Sequence, residues 1–92
     1  MSTKPKSYMT EEDRTRRRAG GMSENAILMA ESRAADHAGD EEAAWAWLAL
    51  AELPAHSLAF LKDQQGAAFI REHGFNTTQA DAAYGCDWLE RI

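Results

Sequence analysis

The chain has 92 residues, a formal net charge of −5, 45% apolar residues and one cysteine, Cys86. This length supports a single domain, a lone thiol excludes an intrachain disulfide, and no apolar run approaches the roughly 20 residues of a membrane span. Eighteen of the apolar residues are alanine, valine is missing, and isoleucine occurs only at Ile27, Ile70 and Ile92, so helix is favoured over strand almost throughout.

Residues 1–9, with Lys4, Pro5, Lys6 and Ser7, read as a flexible basic arm ahead of one helical domain over 10–92. Thr10 is a cap signal, followed by Glu11, Glu12 and Asp13 where a helix dipole favours acids; Arg14, Arg16, Arg17 and Arg18 follow towards the end, where it favours cations, and Gly20-Gly21 stops the segment. This first helix is polar on every side. A second helix starts at Ser23 and runs to about Ala38, with an expected apolar stripe of Ala26, Ile27, Ala30 and Ala34. Asp40 caps a third, which Leu53-Pro54 interrupts. Pro54 suits the first turn of a fourth, running to about Gln65. Ala67 to His73 form a short fifth helix stopped by Gly74, and Thr78 to Tyr84 a sixth stopped by Gly85, with Asp87 capping a last turn. The expected fold class is all-α: a compact bundle of five or six short helices. The large core side chains are expected to be Trp45, Trp47, Leu48, Leu58, Phe60, Leu61, Phe69, Ile70, Phe75, Trp88 and Leu89.

In the third helix Trp45 and Trp47 stand two residues apart and point in nearly opposite directions. Trp47 shares its face with Ala43, Ala44, Leu50 and Ala51, a core face. Trp45 shares its face with Glu41, Leu48 and Glu52. Either this helix is buried on both sides, or Trp45 is a partly exposed anchor in an acidic rim, as in a binding hot spot.

Catalytic and metal chemistry find little footing. His37, His56, His73 and Cys86 have no ligand spacing, so no metal or other cofactor is expected. Cys86 lacks an identifiable base, His56 and Ser57 diverge on a helix, and Gly20-Gly21 lacks the strand and lysine of a phosphate loop. The acid pairs Glu11-Glu12 and Glu41-Glu42 each fall in a helix's first turn, which dipole compensation explains. A non-enzymatic protein is expected.

Charge gives the most direct functional lead. Residues 1–20 hold six basic residues against three acids, and residues 21–92 hold four against twelve. The segment Arg14, Arg16, Arg17 and Arg18 is a candidate nucleic-acid or partner contact. Direct DNA binding is disfavoured because the acidic remainder repels phosphate and no aromatic residue is interleaved with these arginines. Glu31, Asp36, Asp40, Glu41 and Glu42 cluster around one helix–helix turn beside Trp45, making a candidate surface for a basic partner.

The stretches 22–31 (MSENAILMAE), 44–56 (AWAWLALAELPAH), 74–77 (GFNT) and 84–89 (YGCDWL) resemble those of small helical proteins carried by phages and mobile elements. Among these the chain most resembles an all-helical anti-CRISPR family, inhibitors of the type I-F surveillance complex, from about Thr10 onward. The resemblance implies a stoichiometric inhibitor that binds this RNA-guided complex in the cytoplasm of a bacterial host and obstructs target DNA. It supplies no individual contact residues. The expected partner is thus a protein or ribonucleoprotein complex, with no membrane and an open oligomeric state. Two other readings stand beside it: a small DNA-binding regulator using Arg14 to Arg18, and an adaptor that dimerises through alanine-rich helices.

Overall fold

The computed structural model describes residues 5–91; residues 1–4, and Lys4 of the expected arm with them, lie outside that range. Six helices are present: α1 (Glu11–Ala19), α2 (Glu24–His37), α3 (Glu41–Leu50), α4 (Ala55–Gln65), α5 (Ala67–His73) and α6 (Thr78–Tyr84). The only extended pairing among the described residues is an isolated bridge between Glu52 and Asn76, so the fold is all-α. No described helix is long and apolar enough to cross a membrane. The chain divides into two units, 1–51 and 52–92.

In the first unit the three caps work as their residue types dictate. The side chains of Thr10, Ser23 and Asp40 accept from the backbone N–H groups of Asp13, Ala26 and Ala43, each at 3.1 Å, satisfying donors that a helix start leaves open. Gly39, at φ 85°, makes the left-handed turn between α2 and α3, and the N–H of Asp40 then donates back to the Ala35 carbonyl. The returning helix lies along α2. Ala35, Ala43, Ala44 and Trp47 form its buried cluster, with Tyr8 and Leu28 packed against it. Small alanines let the backbones approach closely, and the Trp47 indole is the largest side chain in the cluster. Ser32 donates its hydroxyl across the contact to the Ala44 carbonyl at 2.7 Å.

The buried face of α2 differs from the expected stripe. Ile27, Ala30, Glu31, Ser32 and Ala35 are buried, while Ala26 and Ala34 are half-buried. The buried Glu31 has partners in Ser7 and Arg14. Helix α1 contributes no buried residue, in agreement with its polar sequence.

The second unit is built on α4, against which α5 and α6 pack. Leu58, Leu61, Ile70, Phe75, Ala80 and Trp88 are buried. Gly74 ends α5 in the left-handed conformation, φ 69° and ψ 36°, which lets the chain turn so that the Phe75 N–H reaches the Ile70 carbonyl. Phe60, expected in the core, is 66% exposed. Leu58 and Leu61 set the buried face of α4, and a residue two positions after Leu58 points about 200° away from it. Trp45, Leu48, Phe69 and Leu89 are half-buried rather than buried. Residues 86–90 form turns, where a last turn at Asp87 is expected. They are held by the Trp88 indole N–H, which donates to Asp81 at 2.8 Å, and by the Lys62 ammonium, which donates to the carbonyls of Trp88 and Arg91.

Candidate functional site

Residues 5–9, assigned above to the arm, pass along α2 and α3 and make three side-chain-mediated attachments to α2, α3 and the cap between them, while Arg14 of α1 donates to Ser7 and to the Met9 carbonyl. The Trp47 indole N–H donates to the Lys6 carbonyl at 2.9 Å. The Ser7 hydroxyl lies 2.8 Å from both carboxylate oxygens of Glu31. The Tyr8 hydroxyl donates to Asp40 at 2.6 Å. Sequence reasoning passed over Ser7 and Tyr8; the one available signal was an aromatic residue, Tyr8, in an otherwise polar segment.

The Tyr8–Asp40 bond perturbs both groups. Its hydrogen bond to Asp40 raises the Tyr8 pKa above the ordinary 10.0, with burial and the Asp40 charge adding to the rise. The same bond, together with the Ala43 N–H, lowers Asp40 below its ordinary 3.8. A raised phenol favours the neutral form in the folded chain. Its contribution is therefore complete below pH 10 and is lost as pH rises through the folded value. The lowered carboxyl contributes above its unfolded pKa and loses that contribution as pH falls through the folded value. In a Tyr84→Phe background, phenolate absorbance should show Tyr8 titrating above pH 10, and Asp40→Asn should bring its midpoint down. An unchanged midpoint would show that the bond does not persist in solution.

The arginine segment is heavily paired. Arg14 contacts Glu11 at 2.7 Å and Glu31 at 3.5 Å, Arg16 contacts Asp13 at 3.6 Å and Glu12 at 4.0 Å, Arg17 contacts Asp13 at 3.1 Å, and Arg18 contacts Glu24 at 2.6 Å. The pairing is reciprocal in its chemistry. Hydrogen bonds from Arg14 and Arg18 lower the Glu11 and Glu24 carboxyls. Helical spacing explains most of it, since acids in the first turn stand three or four residues before these arginines. The four cations also do not share one surface. Arg16 and Arg17 line an open cleft of about 660 Å³ with Tyr8, Arg33 and His37, whereas Arg14 and Arg18 line another with Glu11, Glu24 and Glu31.

The expected acidic cluster separates into three environments. Glu31 is only 2% exposed and is held by Ser7 and Arg14, so it presents no charge to a partner. Asp40 is half-buried and engaged by the Ala43 N–H and Tyr8. Asp36, Glu41 and Glu42 are exposed. Of these, Asp36 and Glu41 come together with Trp45 in a cleft of about 330 Å³, along with Arg33, Ala44 and Leu48. Trp45 is half-buried, and its indole N–H makes a long 3.5 Å contact to Glu41 one turn earlier. The face shared by Glu41, Trp45 and Leu48 was legible from spacing. The contribution of α2, through Arg33 and Asp36, required the helix pairing.

Among the described residues, no group of three or more histidine, cysteine or acidic side chains is placed to hold a metal ion. Comparison with protein-family profiles, with curated proteins and with solved structures gives no match.

Proposed function

We propose that this protein acts by binding: it docks the acidic face of α2 and α3 onto a basic groove of a nucleic-acid-handling complex and so obstructs DNA. The type I-F surveillance complex suggested by the sequence resemblance is the specific partner proposed, in a bacterial cytoplasm. The carrying observation is that the exposed Asp36 and Glu41 stand around the half-buried Trp45, with Glu42 exposed beside Glu41 in the first turn of α3. An aromatic group flanked by carboxylates can supply contact area and polar rim together. Complementary potential would speed encounter and fix orientation on a lysine- and arginine-rich groove.

The arginine pairing weighs against the DNA-binding alternative. Each of Arg14, Arg16, Arg17 and Arg18 already has a carboxylate within 4.0 Å, so phosphate must compete with these acids and also meet their repulsion. Capture from lysate of cells carrying the type I-F complex tests the reading. The Glu41→Lys/Glu42→Lys variant should lose capture by more than about tenfold, because like charges facing across an interface cost several kcal/mol. The Arg16→Gln/Arg17→Gln/Arg18→Gln variant should retain it. Retention of naked duplex DNA in a gel shift at physiological salt, abolished by the arginine substitutions, would overturn the reading.

A further inference from the structure

We infer that the cleft beside Trp45 is a socket for an arginine side chain of the partner. This deepens the docking reading above and rests on it.

Besides Ser32 and Arg33, the cleft has two kinds of lining. Ala44, Leu48 and the Trp45 ring supply an apolar and aromatic part, while Asp36 and Glu41 supply carboxylates from two different helices. A negatively charged ligand is excluded by the two acids, and a purely apolar one would leave both carboxylates facing a hydrocarbon. The occupant that satisfies all of these groups has a flexible aliphatic stem and a planar cationic head. Arginine fits better than lysine for two reasons. Its guanidinium stacks on an indole while keeping its edge N–H groups free for carboxylates, and it is more weakly hydrated than an ammonium. A charge-assisted bond to a carboxylate is also stronger than a neutral one. The volume of about 330 Å³ accommodates one long side chain rather than a folded element.

Arg33 also lines this cleft and supplies the opposing term. Its like charge should reduce the affinity of the socket for an incoming cation. Removing it should therefore strengthen binding, an outcome that a site for anions would reverse.

The test uses the full-length ¹⁵N-labelled chain and a blocked tetra-arginine peptide, followed by the indole N–H of Trp45 and the amides of Ala44 and Leu48. These signals should shift saturably. Asp36→Asn/Glu41→Gln should weaken binding about fivefold, and Arg33→Gln should tighten it about twofold, the scale of one or two partly exposed charge contacts. Blocked tetra-lysine should bind at least about threefold more weakly. Both sets of substitutions are at exposed positions, and retained dispersion of the remaining amide signals shows that the variants are folded. Tetra-arginine that leaves the Trp45, Ala44 and Leu48 signals in place would overturn the inference, as would tetra-lysine binding equally well or Arg33→Gln weakening the peptide. Peptide seating in this cleft with no complex captured from lysate would remove the docking function and leave the socket standing. Capture that persists in Asp36→Asn/Glu41→Gln would do the reverse.

Discussion

Trp47→Ala is expected to destabilise the first unit by about 3–5 kcal/mol, the range for truncating a buried tryptophan. That is a large part of the total stability of a small domain. The indole is 6% exposed and packs with Ala35, Ala43 and Ala44. Alanines cannot expand to fill the vacated space, and closing it would require backbone movement in α2 or α3. The substitution also removes the donor to the Lys6 carbonyl, so residues 5–9 lose one of their attachments. Trp47→Phe separates the two effects. It keeps much of the ring area and loses the N–H, and should cost less, about 1–2 kcal/mol. Urea unfolding followed by helical circular dichroism gives both values. A Trp47→Ala midpoint within error of the parent would show that the α2–α3 contact is not the main source of order in this unit.

The second large effect is expected at Arg14. Arg14→Met should cost about 2–3 kcal/mol, somewhat below the range for breaking a fully buried pair. The Arg14 side chain is 20% exposed, and that of Glu31 is 3% exposed. One terminal nitrogen of Arg14 reaches Ser7, the Met9 carbonyl and Glu31, at 2.8, 3.1 and 3.5 Å. The direct pair is thus long, and Ser7 bridges it. Without the guanidinium, Glu31 keeps its desolvation and loses its counter-charge, which makes the orphaned acid the source of the cost. Combining Arg14→Met with Glu31→Met should recover at least about 1 kcal/mol of the loss, because the double variant buries no unpaired charge. Additive losses in the double-mutant cycle would show that Arg14 and Glu31 are not energetically coupled. Arg18→Met makes a useful contrast. Its contact to Glu24 is exposed on both sides, and its removal should change stability by less than about 1 kcal/mol.

Much of the fold could be read from the sequence because its punctuation is local. Thr10, Ser23 and Asp40 each act on a backbone donor three residues away, and Gly39 and Gly74 act where they stand, so helix ends follow from short-range chemistry. The sixth helix falls at Thr78–Tyr84 and ends at Gly85, as expected. Burial was less legible where partners are distant in sequence. Glu31 looked like one more surface acid because Ser7 and Arg14 lie 24 and 17 residues away. Phe60 looked like core because composition gives no direction to a side chain; its position relative to Leu58 and Leu61 does. The candidate site shows the same division. Glu41, Trp45 and Leu48 follow from one-turn spacing along α3, whereas Arg33 and Asp36 join them only through the approach of α2.

The pairing along α1 also changes how the first unit is perceived from a distance. A guanidinium within 4.0 Å of a carboxylate forms a small dipole, and its field decays faster than that of a lone cation. With a screening length of about 8 Å at physiological ionic strength, an approaching macromolecule scarcely senses the arginines until it is nearly in contact. The sequence places opposite signs in separate blocks, but folding interleaves them along this helix. Far from contact, the chain's overall −5 outweighs its arginine block.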